Sequence, residues 1–121
     1  MSMIDTPLMR GLERVLDQSV FRHQVIAANL ANIDTPGYRT RDLRPFAGEI
    51  EQAMAGEEPS FTPVAHEIRG LLERPDGNDV SVERETLLLA QNQLRFEVAV
   101  QFMKAEFHRM SLAITGGSTT S

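Results

Sequence analysis

The sequence predicts a mainly all-α fold, in which long N- and C-terminal helices pair as a coiled-coil-like hairpin with an irregular or partly disordered middle. Three observations predict it. Both arms carry apolar residues at heptad spacing, Pro and Gly crowd between the arms, and the net charge lies almost wholly in that broken middle. We divide the chain into residues 1–42, 43–79 and 80–121, with one domain built from both arms.

The N-terminal arm opens at Thr6-Pro7, a capping hydroxyl followed by proline at the first helical position. Met9, Leu12, Leu16, Ser19, His23, Ile26, Leu30 and Ile33 then step by three and four. That spacing is a heptad seam with polar interruptions at Ser19 and His23. The helix is expected to stop near Asp34, because Pro36 disfavours helical geometry at Thr35 and Pro36-Gly37 suits a tight turn.

Residues 43–79 hold three Arg against eight acids, four of the six Pro and four of the eight Gly. The flanking arms are each charge-neutral, so this segment carries the whole net charge of −5. Such a composition favours a solvated connector over a ligand site.

The C-terminal arm starts after the turn cluster Pro75-Asp76-Gly77-Asn78, with Ser81 as N-cap. Its seam runs Leu89, Gln93, Phe96, Val100, Met103, Phe107, Met110 and Ile114, and Gly116-Gly117 is expected to end the helix. At 1.5 Å per residue the two helices span roughly 40 and 50 Å. A second apolar stripe, Leu87, Leu94, Val98, Phe102, Ala105 and Leu112, lies on another face of the same helix. One hairpin partner leaves it bare, so neighbouring chains are expected to cover it.

The charge balance disfavours binding to nucleic acid, and no apolar run approaches the ~18 residues of a membrane span. Direct membrane insertion is therefore not expected, and the first nine residues do not resemble a cleavable secretory signal. Without Cys there is no thiolate nucleophile and no Cys-based metal site. His23 falls on a seam, His66-Glu67 lacks the second His of a zinc-protease helix, and His108 sits between charged neighbours. We expect no catalytic residue, no cofactor and no metal. The Ile-Asp-Thr-Pro at 4–7 and 33–36 opens one helix and closes it again, and is not a repeat.

Residues 25–39 stand apart. Ala27, Ala28 and Ala31 permit close helix approach, while Asn29 and Asn32 share a face near the helix end. Their amides can satisfy backbone groups there or bond across an interface, and Tyr38 can fold back on the helix. On the residues alone, a well-made helix terminus accounts for them better than an interface does.

Asn29-Leu30-Ala31-Asn32 followed by Thr35-Pro36-Gly37-Tyr38 resembles the N-terminal signature of the bacterial flagellar rod and hook family. The C-terminal arm agrees. Asp76-Gly77-Asn78, Val80, Glu85, Leu89-Ala90 and Asn92-Gln93-Leu94-Arg95-Phe96 resemble one of the two proximal rod proteins. The other member's Ala-x-Arg-x-Tyr-x-Ala-Asn run is missing. Thr86 and Phe96 depart from the methionine and tyrosine common at those places, and the resemblance fades through 44–75.

The resemblance implies a non-catalytic structural subunit of the flagellar basal-body rod in the periplasmic space. Such a subunit polymerises with itself and other rod proteins above a further basal-body component, and helps transmit torque. It also implies delivery by the flagellar type III export apparatus without a cleaved signal, for which Met3, Ile4, Leu8 and Met9 are candidates. The expected assembly contacts are Asn29, Asn32, Pro36, Gly37 and Tyr38 for an interlock, and Phe96, Val100, Met103 and Phe107 for the helix seam. The alternatives are the sister proximal rod protein and a soluble helical-hairpin adaptor or export chaperone.

Overall fold

The computed structural model describes residues 6–43 and 64–119. Helix α1 spans Pro7–Ala31, strand β1 Arg41–Asp42, strand β2 His66–Glu67 and helix α2 Val82–Thr119. The two helices account for most of the described chain, so the all-α hairpin expected from the heptads is what forms.

Local chemistry sets the helix starts. The Thr6 hydroxyl accepts a hydrogen bond from the Met9 N–H at 3.1 Å, with Pro7 just inside the helix. Ser81 does the same for α2 by accepting from Arg84 N–H at 3.3 Å. Glu83 and Glu85 in that first turn face the positive end of the helix dipole.

The ends differ from expectation. Helix α1 closes at Ala31, short of Asp34, because distant side chains take the carbonyls beyond it. Asn78 Nδ2 donates to Asn32 O and Thr35 O at 2.9 Å each, and the Arg74 guanidinium donates to Ile33 O. Helix α2 passes through Gly116-Gly117 to Thr119 rather than ending there. Glycine costs about 1 kcal/mol against alanine inside a helix, which is a penalty and not a bar.

The helices pack antiparallel, with Asn92 Nδ2 donating to Ser19 O at 2.8 Å near the middle of the pair. The buried positions of α2 are Glu85, Asn92, Ala99 and Glu106, one per heptad. They lie one residue before the expected Gln93, Val100 and Phe107, so the helix is rotated by part of a turn from the anticipated seam. Leu89, Phe96, Met103 and Met110 remain half-buried at its edge, whereas Gln93, Phe107 and Ile114 are exposed. On α1 the anticipated His23 is exposed, and half-buried Arg22 and fully buried Asn29 take the inner places near His23 and Leu30. Of the anticipated α1 seam, Met9, Leu12, Ser19 and Ile26 are buried, so the interior of the interface mixes apolar residues with polar ones whose bonds are satisfied.

Helix α2 outruns its partner. Carried residue for residue from Ser19–Asn92, Thr6 comes level with Ala105, leaving about 14 residues, or ~20 Å, of α2 beyond the start of α1. Residues 111–115 are exposed throughout.

Between the helices, β1 and β2 pair antiparallel with Arg41 opposite Glu67 and Asp42 opposite His66. This pairing was not anticipated within the connector. The part of the expected irregular middle at residues 44–63, and the export-signal candidates Met3 and Ile4, lie outside the described residues.

Candidate functional site

The segment singled out at residues 29–38 meets residues 74–85 in a polar clamp at one end of the hairpin. Asn29 is fully buried, and its amide is fully used. Nδ2 donates to Arg41 O at 2.8 Å and to Glu85 Oε2 at 3.0 Å, while Oδ1 accepts from Tyr38 Oη and Arg41 N, both at 3.1 Å. One side chain therefore ties α1, β1, the following turn and α2 together. Aspartate could not supply the two donors, and alanine would leave both carbonyl and carboxylate unmet.

Asn78 performs the mirror task from the far side. Besides its two bonds to the end of α1, its Oδ1 accepts from Val80 N–H at 2.8 Å. Arg74 braces the same joint by donating to Val80 O at 3.2 Å. The two turns touch backbone to backbone. Gly37 N–H donates to Asp76 O at 2.8 Å, and a Cβ on Gly77 would stand 3.3 Å from Gly37 Cα. Both glycines have positive φ, +74° and +84°, which other residues adopt only with strain.

Charge is handled inside the clamp. Arg22 on α1 makes a bidentate pair with Asp42, both contacts at 3.0 Å, the geometry in which guanidinium–carboxylate bonds are strongest. Arg84 reaches Glu85 at 2.8 Å and Asp42 at 3.9 Å. Burial works to raise the Asp79 carboxyl, yet hydrogen bonds from the Thr40 N–H and hydroxyl, at 2.6 and 2.9 Å, with Arg39 alongside, outweigh it and hold it below the usual range. Burial raises the Tyr38 phenol above its ordinary value; the Arg41 charge opposes this and Glu85 and Asp79 add to it. Among the described residues, no buried side-chain nitrogen or oxygen lacks a partner.

Of the anticipated residues, Asn29, Asn32, Gly37 and Tyr38 come together here, with Pro36 and Gly37 exposed on the turn. Asn32 donates to Ala28 O at 2.8 Å and accepts from the Thr35 hydroxyl at 3.1 Å. Phe96, Val100, Met103 and Phe107 lie elsewhere, along α2. Sequence reasoning did not give Asn78, Asp79, Thr40 or Asp42 a part in this joint, and marked Glu85 only as a point of resemblance. Asp76-Gly77-Asn78 signalled a turn but not its target.

The second surface of interest is the outer face of α2. Leu87, Leu94, Val98, Phe102 and Leu112 are between 45 and 61% exposed. Within it lies a shallow groove lined by Leu94, Glu97, Val98, Gln101, Phe102 and Ala105. No helix among the described residues is long and apolar enough to cross a membrane.

Comparison with known proteins bears on both surfaces. A family profile described as "Flagella basal body rod protein" matches residues 22–39, the α1 side of the clamp. Beyond that motif, the chain is 28% identical to the flagellar basal body rod protein FlgB of Bacillus subtilis, over 90% of this chain and 94% of that protein. Both matches make the chain similar to flagellar basal body rod proteins. It is also 27% identical to FlgB of Salmonella typhimurium, over 91% and 94% of the two chains, and 29% identical to FlgB of Aquifex aeolicus, over 78% and 82%. The similarity to the first two extends well past the profile, over about nine-tenths of the chain.

Proposed function

We propose that this chain is the FlgB-type structural subunit of the proximal rod, with no catalytic step, polymerising through its terminal helices to help transmit motor torque. The reading is supported above all by similarity to FlgB proteins over about nine-tenths of the chain, joined to a helix face that the described residues leave bare. The partners are other rod proteins, further copies of this chain and the basal-body component beneath the rod. Delivery is by the flagellar type III export apparatus without a cleaved signal, and the working location is the rod in the periplasmic space. Both arms act as one domain, with residues 43–79 as connector.

The assembly residues divide by exposure. Asn29 is enclosed and Tyr38 half-enclosed, so both act by fixing the shape of the turn. Asn32, Pro36 and Gly37 present that turn to a neighbour. Phe96, Val100 and Met103 line the half-buried edge of α2, where a neighbouring helix can lie against both helices at once. Phe107 sits on the overhang and meets a subunit stacked beyond α1.

The test is the protein content of intact hook–basal bodies purified from the source bacterium. The chain is expected there in fixed proportion to the other rod proteins. Its absence, with recovery in a discrete cytoplasmic complex, would overturn the reading in favour of an adaptor.

A further inference from the structure

The bare face of α2 repeats with the same heptad step as the buried one but lies two residues further round, on roughly the opposite side of the helix. Leu87, Leu94, Val98, Ala105 and Leu112 occupy it, interleaved with Gln91, Gln101 and His108. Glu97 and Lys104 flank its centre, both exposed, with Glu97 accepting only a 3.3 Å bond from its helix neighbour Gln93.

This pattern is self-complementary. Lay a second α2 antiparallel on the first, with the two-fold axis between residues 99 and 100. Leu87 then meets Leu112 of the second copy, Leu94 meets its Ala105, and Val98 meets its Gln101. Residues flanking such an antiparallel seam face their own kind, so Glu97 falls beside Lys104 of the second copy, and the two-fold axis repeats the pair. Arg95 falls beside the ring of Phe102 of the second copy, a cation–π placement, again twice. In the parallel arrangement, Lys104 instead approaches Arg109 of the second copy, already paired with its own Glu106, and Glu97 comes beside Phe102, so no opposite charges are brought together. Charge thus selects both the partner and its direction.

We infer that, outside the rod, two copies of this chain pair antiparallel through the bare face of α2. The pairing hides the apolar stripe in a closed two-fold unit. A closed unit cannot propagate, so it holds the subunit apart from polymerisation until another rod component displaces one copy. The pairing stands on the helix face alone, while its role in holding back polymerisation rests on the rod reading.

Sedimentation equilibrium of the purified full-length chain tests it, with charge reversals that leave the hairpin interior untouched. The wild type is expected to dimerise reversibly. Glu97→Lys and Lys104→Glu each set like charges together at two places and weaken the dimer roughly tenfold, and the double swap returns it to near wild type. A chain that stays monomeric, its stripe reserved for a rod neighbour, overturns the inference, as do single reversals without effect. Direction is read separately, since the chain has no native Cys. Val98→Cys mixed with Gln101→Cys is expected to cross-link under copper phenanthroline more than either alone. Preferential 98–98 linkage would mean parallel pairing and would overturn it too.

Discussion

Asn29 and Glu85, 56 residues apart in sequence and both wholly buried, meet at 3.0 Å through Nδ2 and Oε2. That contact joins the last turn of α1 to the first turn of α2 and sets which heptad of one helix faces which of the other. Buried polar pairs in helical seams discriminate between registers in this way, since a slipped register leaves both groups unmet.

Asn29→Ala is therefore expected to destabilise the chain by about 2–4 kcal/mol, because four bonding groups lose their partner at once. Urea unfolding followed by circular dichroism measures it. A loss under 1 kcal/mol would mean that water replaces the amide.

The touching turns make a sharper demand. Gly77→Ala sets a Cβ at 3.3 Å from Gly37 Cα with φ at +84°, and is expected to cost roughly 1–3 kcal/mol. Gly11, inside α1 with open space around it, is the contrasting case. Gly11→Ala should stabilise by up to about 1 kcal/mol. Thermal melts of the two variants should move in opposite directions.

Acid should loosen the clamp through Asp79. Its carboxyl titrates lower in the folded chain than the ordinary 3.8. The folded state thus favours the ionised form. The stabilisation is complete above the unfolded value and is lost as pH falls through the folded one. Stability measured from pH 6 down to pH 2 should decline with a shallower acid limb in Asp79→Asn. Equal slopes in the two proteins would remove Asp79 from the account.

Much of this was open to reading in the sequence. Thr6-Pro7, Ser81 and Pro36-Gly37 mark their boundaries because capping and turn chemistry act over three or four residues. The apolar part of the helix interface was legible too, in buried Met9, Leu12 and Ile26 and half-buried Phe96 and Met103. Its polar members were not. Apolar periodicity finds apolar residues, while Asn29, Asn92 and Glu85 are buried because each finds a bonding partner that no local pattern announces. The β1–β2 pair is two residues long and carries no alternation to detect. For the clamp, one side was marked by a motif, and the other came into view only when folding brought residues 74–85 across to it.

The two faces of α2 should separate stability from assembly. Phe102→Asp alters a site exposed in the single chain, so unfolding at dilutions where the chain is monomeric should shift by no more than about 0.5 kcal/mol, while swimming in soft agar is lost. Val100→Asp, half-buried beside α1, should lose both. Normal swimming with Phe102→Asp would free that face from any part in the rod.

The overhang of α2 has a geometric consequence. A hairpin with equal arms could be turned end for end with little change of outline, but among the described residues one helix stops ~20 Å before the other. One end is blunt and the other stepped, as in a lap joint. A column of such pieces laid head to tail has a top and a bottom, and growth at its two tips is two different reactions, each with its own rate.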